Sequence, residues 1–165
     1  DQGGVMKLRA ASIITPLLLF ILASAYAIET PRIVPRVQEI PKPIGEVFVT
    51  FKKYFNDASS HFELVRADER SHTLVAKQTT TDDLTWRRWA FCETGPVEMI
   101  YKLQDGTVTV TVKLEKSPPH STLATVSADF QGRYALGGNQ NTVACTSKFA
   151  LEDSILTAAG AVPGK

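Results

Sequence analysis

The sequence predicts a two-layer α+β domain in which an antiparallel sheet of about six strands packs against one helix from each end of the chain. Three observations carry that expectation. Apolar residues recur at helical spacing between Ile44 and Phe55, the pattern then changes to strict alternation, and a second helical stripe follows Phe149. Sustained strand–helix–strand alternation, the mark of a parallel-sheet enzyme fold, does not occur.

The chain opens on "MKLRAASIITPLLLFILASAYA", Met6 to Ala27, where Lys7 and Arg9 precede an apolar run ending in Ala25, Tyr26 and Ala27. That is the pattern of a secretory signal peptide with an A-x-A cleavage site. The apolar core from Ala10 to Leu22 is shorter than the roughly 20 residues that span a bilayer, and Pro16 interrupts it. No cysteine follows the cleavage site, so neither a lipid anchor nor another stable membrane anchor is expected after cleavage. Asp1 to Val5 read as an upstream extension with no part in the fold. The domain plan is therefore residues 1–27 as leader, 28–42 as a proline-rich extended segment, and 43–165 as a single α+β domain.

Removing the leader lowers Lys plus Arg from 18 and Asp plus Glu from 17 to equal numbers, because Asp1, Lys7 and Arg9 go with it. A neutral mature chain excludes the clustered positive surplus on which phosphate binding relies, so no nucleic-acid partner is expected. Export places the protein in an oxidising space, periplasmic or extracellular, where two cysteines form one disulfide by default.

In "IETPRIVPRVQEIPK" the prolines at 31, 35 and 41 prevent a regular helix and favour an extended tether. The first helix should begin at Pro43 or Ile44, with Ile44, Val47, Phe48, Phe51, Tyr54 and Phe55 on its apolar face over about three turns. "HFELVRA" and "HTLVAKQ" read as a hairpin about the polar turn Asp68 to Ser71. "LTWRRWAFCE", Leu84 to Glu93, reads as a third strand. "PVEMIYKLQ" and "TVTVTVKLEK" flank Asp105 and Gly106, a two-residue hairpin signal. Val108, Val110, Val112 and Leu114 should face the core, with Thr107, Thr109, Thr111 and Lys113 in water. After "SPPH" a last long strand, "STLATVSADFQGRYAL", should alternate in the same way. The loop "GGNQN" then leads to Cys145 at the start of a closing helix capped by Thr146 or Ser147, with Phe149, Leu151, Ile155, Leu156 and Ala159 as its stripe. Gly160, Pro163 and Gly164 should end it.

Cys145 ahead of a helix is where a reactive thiolate would be stabilised. A nucleophile also needs a base, and His61, His72 and His120 lie in no cysteine-enzyme signature. A bridge from Cys145 to Cys92 is the simpler reading, and no catalytic residue is assigned. The scattered cysteines and histidines give no paired ligand spacing, so neither a metal nor a cofactor is expected. The adjacent acids Asp82 and Asp83, and Glu152 and Asp153, read as solvated or capping groups. "GGNQN" lacks the strand and lysine of a phosphate loop and reads as a connection. The distinctive surface candidate is "WRRW". On a strand, Trp86 and Arg88 share one face and Arg87 and Trp89 the other, so one indole should be core and the other should lie beside an arginine. Such a pair can stack on a sugar ring or hold an acidic group, although covering a half-buried indole is the simpler role.

The succession from "PKPIGEVFVTFKKYF" through the hairpins to "CTSKFALEDSIL" resembles a group of small exported bacterial proteins and lipoproteins with helix-grip-like domains. Among them are domains of a lipoprotein in the outer-membrane protein insertion machinery. In similar sequences a cysteine near C-x-S-x-x-x-L-E opens the last helix; Cys145, Ser147, Leu151 and Glu152 match it here. The resemblance covers Ile44 to Ala161. It implies a curved antiparallel sheet gripping a terminal helix, and a non-catalytic role in envelope assembly or interaction. This chain lacks the lipidated cysteine of the lipoproteins. The functional expectation is thus a disulfide-stabilised interaction module that binds a protein or envelope component through a sheet face or edge and the proline-rich segment. The alternatives are a carrier of a small apolar ligand between sheet and helix and, last, a hydrolase using Cys145.

Overall fold

The structure, a computed structural model, describes residues 33–92, 102–136 and 139–161. The leader, the segment Pro96 to Tyr101 expected to form a strand, Gly137, Gly138, Pro163 and Gly164 lie outside the described residues. The fold is α+β, with seven strands in one antiparallel sheet and helices packed against it.

Strand β1, Arg36–Ile40, comes from the proline-rich segment. From residue 36 to 40 it is extended, as expected, but this part is not a tether: β1 pairs with the long strand β6, Ser121–Leu136, with Arg36 opposite Val126 and Ile40 opposite Thr122. Ile40 is fully buried, which anchors the strand. Helix α1, Ile44–Asn56, follows directly and buries Val47, Phe48, Phe51 and Phe55. Each such side chain contributes about 1.5–3 kcal/mol on leaving water. Lys53 in its last turn complements the helix dipole, and the chain leaves through a short turn in which the Asp57 carboxylate accepts the Ser59 N–H at 2.8 Å.

The first hairpin forms as expected, with β2 at Glu63–Asp68 and β3 at Thr73–Thr80. Asp68 fixes the turn by accepting the N–H groups of Arg70 and Ser71. The next segment departs from expectation. Asp83–Trp89 is helix α2, and only Ala90–Cys92 is strand, β4. Asp82 decides this locally: its carboxylate accepts the Leu84 N–H at 3.1 Å and the Thr85 hydroxyl, which makes it an N-cap. Asp83 and Arg87 then pair one turn apart at 2.7 Å, and two arginines occupy the last turn, where the dipole favours cations.

The expected hairpin at Asp105 and Gly106 is also absent. Strand β5, Lys102–Ser117, runs straight through both, pairing Gly106 with Gly132 and Asp105 with Arg133. The reason is tertiary. A Cβ on Gly106 would stand 2.3 Å from the six-membered ring of Trp86, so the glycine serves close approach of an indole instead of a turn. The Arg133 side chain bonds the Asp105 carboxylate, which removes it from turn duty. Strands β5 and β6 meet at the Pro118–His120 turn, which contains a cis Pro118–Pro119 peptide.

Strand β6 is not the last. Strand β7, Asn139–Ser147, covers its second half, with Phe130 opposite Cys145 and Leu136 opposite Asn139. Cys145 therefore sits within a strand, and the closing helix α3 begins later, at Ala150, and ends at Ala158. Gly160, at φ +91°, ends it: the Ala161 N–H reaches the Leu156 carbonyl and the Gly160 N–H that of Thr157.

The sheet order is β2-β3-β5-β6-β7-β4, with β1 beside the first half of β6. One face carries the core. Helix α1 lies against β2, β3, β5 and β6, α3 against β6 and β1, and α2 against β3, β4 and α3. The alternation along β5 and β6 is as expected, with Val108, Val110, Val112 and Leu114 facing Phe130, Ala128, Val126 and Ala124 in register on the buried side. Gly106→Ala should destabilise the fold by about 1–3 kcal/mol, because a buried, rigid ring and a backbone in register must separate. A urea midpoint equal to that of the wild type would show that Trp86 does not rest on β5.

Candidate functional site

The residue types able to do chemistry lie on β4, β7, β1 and the start of α3. Register places Cys92 directly opposite Cys145 across β4 and β7, with Cα atoms 4.2 Å apart, and the two are joined by a disulfide. Both point into the buried layer. Cys145 thus carries no thiol, and the bond is the one the sequence predicts, made between two strands instead of between a strand and a helix. Its ends are 53 positions apart, for which loop-closure entropy gives a stabilisation of about 4 kcal/mol.

Trp86 closes over this bridge. Its indole N–H donates to the Cys92 sulfur at 3.3 Å, and its ring meets Phe130 edge-on at 5.6 Å. Phe130 is in turn the register partner of Cys145, so indole, sulfurs and phenyl ring form one buried cluster. A buried indole needs a partner for its N–H, and the sulfur supplies one.

The helical form of "WRRW" changes its meaning. Trp86 is core, and Trp89 is half-buried against the same core, so the indole–arginine pair on a strand face is not made. Arg87 and Arg88 are exposed in the last turn of α2. Lys148 joins them: its ammonium donates to the Arg87 carbonyl at 2.7 Å and its N–H to the Trp89 carbonyl at 2.8 Å. The helix C-terminus is therefore capped by a cation.

Ser147 does the work expected of a cap from three residues before the helix. Its hydroxyl oxygen accepts the Phe149 N–H at 2.8 Å and its O–H donates to Glu152 at 2.6 Å. Thr146 faces the other side of the sheet, and the N-cap position itself is Phe149, at φ 65° and without a side-chain cap bond. Of the paired acids, Asp82 caps α2 as expected, whereas Asp83 forms an ion pair with Arg87. Glu152 is not solvated: it is fully buried, and burial raises its pKa against the opposing hydrogen bond from Ser147. Its neighbour Asp153 stays at the surface and accepts hydrogen bonds from Nε and Nη2 of Arg36, at 2.9 and 3.1 Å. The same guanidinium lies 4.9 Å over the Phe149 ring. This pair ties the first strand to the last helix and raises the Arg36 pKa, chiefly through the hydrogen bond to Asp153.

The three histidines are dispersed. His61 and His72 occupy left-handed turn positions at either end of the first hairpin, with His72 edge-on to Phe48, and His120 lies in the β5–β6 turn. Among the described residues no group of three or more His, Cys, Asp or Glu could hold a metal ion. Sequence reasoning missed Arg36, Phe130, Gly106 and the burial of Glu152. The last had a signal: Glu152 falls three and four positions before Ile155 and Leu156, on the apolar stripe.

Replacing Cys92 and Cys145 together by alanine should lower stability by about 2–5 kcal/mol, read as a reduced urea midpoint. A midpoint that does not move on either replacement or reduction would remove the bridge from the stability of the fold.

No protein-family model matches the chain, and no curated protein matches it. Among solved structures, a DUF4468 family protein from Bacteroides ovatus is similar, with 11% identity, a TM-score of 0.36, and a match over 70% of this chain and 62% of its own. The chain thus spans about three fifths of that protein's length, and none of these comparisons points to the exported helix-grip proteins that the sequence resembles.

Proposed function

We propose that the chain is an exported, non-catalytic interaction module of the bacterial cell envelope, periplasmic or secreted, that binds a protein or envelope component on the outer face of its sheet. The observation that carries this reading is a long sheet face covered by no described helix. Strands β5 and β6 have 16 residues each, roughly 50 Å of strand. In register across β3, β5 and β6 they present Lys77, Thr109 and Asp129, then Val75, Thr111 and Ser127, then Thr73, Lys113 and Thr125. Val37 of β1 extends the last row, and Phe91 of β4, 46% exposed, stands at the far edge beside Thr146.

The edges are less suited to docking. Strand β4 has three residues, β2 is broken by a bulge between Leu64 and Arg66, and β1 is five residues long between Pro35 and Pro41. Short, bulged and proline-flanked edges resist strand addition. The face is therefore favoured over the edge, with Ile33 and Val34, both exposed, adding the proline-rich segment to it and Arg87 and Arg88 offering an acidic group a contact at one end. The carrier alternative is less supported, because Phe51, Phe55, Phe130, Ile155 and Leu156 fill the space between the layers. Export is supported by the leader pattern and by the disulfide; among the described residues no helix is long and apolar enough to cross a membrane.

Two measurements test this reading. Expression of the full chain in a bacterial host, followed by intact-mass analysis of the exported fraction, should give a product beginning at Ile28; retention of the leader on cytoplasmic protein would contradict export. Affinity recovery from an envelope extract should yield a component that is retained by Lys53→Ala bait, altered at an exposed position of α1, and lost by at least tenfold with Thr109→Arg, Ser127→Arg bait of unchanged thermal stability. Equal recovery by the outer-face variant would exclude this face.

A further inference from the structure

Glu152 is an acid placed where water does not reach. It occupies the first turn of α3 with no exposed surface; one carboxyl oxygen accepts the Ser147 hydroxyl at 2.6 Å, and the other has no hydrogen-bond partner among the described residues. An ionised carboxylate offers about four acceptor sites and suffers heavily when they are empty, whereas a neutral carboxyl needs far less.

Among the described residues the surroundings supply no dedicated cation. From β1, Arg36 faces the site, but its guanidinium is committed to both oxygens of Asp153 and to the Phe149 ring. Asp153, on the same helix, adds like charge. Strand β6 packs Ala124, Val126, Ala128 and Phe130 towards the helices, and β7 brings Ser147 and the disulfide. On α2, Asp83 and Arg87 pair with each other and Arg88 is in solvent, while the Lys148 ammonium is bonded to the Arg87 carbonyl. Lys42 lies at the other end of α3, beside Gly160, and pairs with Glu46. The helix dipole and Arg36 favour the anion, but burial is the larger influence.

We propose that Glu152, with Ser147 and Arg36, is a proton-sensitive latch that fixes α3 and β1 on the sheet, closed while the carboxyl is neutral and loosened when it ionises. Since the folded protein holds this proton more tightly than the unfolded chain, the contribution is complete below the ordinary carboxylate value of 4.5 and declines as pH rises towards the folded-state value. The other perturbed carboxylates act in the opposite sense. Glu39, Asp57, Asp68, Asp82 and Glu115 are held below their ordinary values by hydrogen bonds from Ser121, Ser59, Ser71, Thr85 and Lys113 respectively, so their contribution is present above those values and is lost only on acidification. The two windows do not overlap.

The test is urea unfolding of the wild-type protein and of Glu152→Gln and Ser147→Ala, from about pH 5 to pH 8. The unfolding equilibrium constant of the wild type should rise by up to tenfold per pH unit over part of this range. Glu152→Gln, which keeps the acceptor for Ser147, should be flat there and more stable at neutral pH. Ser147→Ala, which removes the remaining hydrogen bond to the anion, should carry the decline to higher pH. Carbon-13 NMR of the Glu152 carboxyl in the intact wild-type protein should titrate above 4.5. Parallel profiles for wild type and Glu152→Gln, an unmoved window in Ser147→Ala, or a carboxyl midpoint at or below 4.5 would each overturn the latch.

Discussion

Strand β6 has to serve two partners on one side. Its residues 122–126 pair with β1 and its residues 130–136 with β7, while β5 runs along the whole of the other side. Most of the remaining architecture depends on that division. Residues 127–129 lie between the two pairings and form a seam near Ala128, and α3 lies against both β6 and β1. The Arg36–Asp153 ion pair joins β1 to α3, a residue near the start of the described chain to one near its end. As a pair exposed to water it contributes little by itself, but two parallel bonds and a ring beneath the guanidinium fix its geometry.

The disulfide follows from the same division. Strand β7, laid along the second half of β6, brings Cys145 to the buried face opposite Phe130 and leaves a free edge on which three residues of β4 pair. So short a strand would be marginal without the covalent bond and without Trp86, which rests on Gly106 of β5 and donates to Cys92. The core is thereby completed on one face alone. The hydroxyl-bearing face is covered by no described helix, which is why the functional proposal rests on it; a fold of this kind does not by itself name an activity.

The elements legible in the sequence are those whose local pattern and tertiary setting agree. Helix α1, the β2–β3 hairpin and the alternation of Val108 to Leu114 and of Ala124 to Phe130 have apolar periods that coincide with their buried faces. The seven residues of α2 were hidden because two tryptophans favour a strand on propensity, whereas the cap at Asp82 and the Asp83–Arg87 pair decide for a helix. Asp105 and Gly106 carry a strong turn signal that the indole of Trp86, distant in sequence, overrules. "NQNTVACTS" does alternate, with Val143, Cys145 and Ser147 inward, but polar residues dilute it and an unpaired length of β6 cannot be seen in one dimension. At the site, the Cys92–Cys145 bond was legible from compartment and count. Glu152 was not, because charge argues for the surface while helical phase argues for the core, and here phase prevails.

The central claim is that β6 pairs with β5 along one side and with β1 and then β7 along the other, and amide hydrogen exchange tests it most directly. In a strand, successive N–H groups point to alternate sides, so pairing with β5 alone protects every second amide. The account predicts slow exchange at consecutive amides through Thr122–Val126, where β1 lies, and again through Phe130–Tyr134, where β7 lies. Fast exchange at every second amide in either stretch would show that β1 or β7 does not pair there, and the seam that organises the ion pair, the disulfide and α3 would not exist.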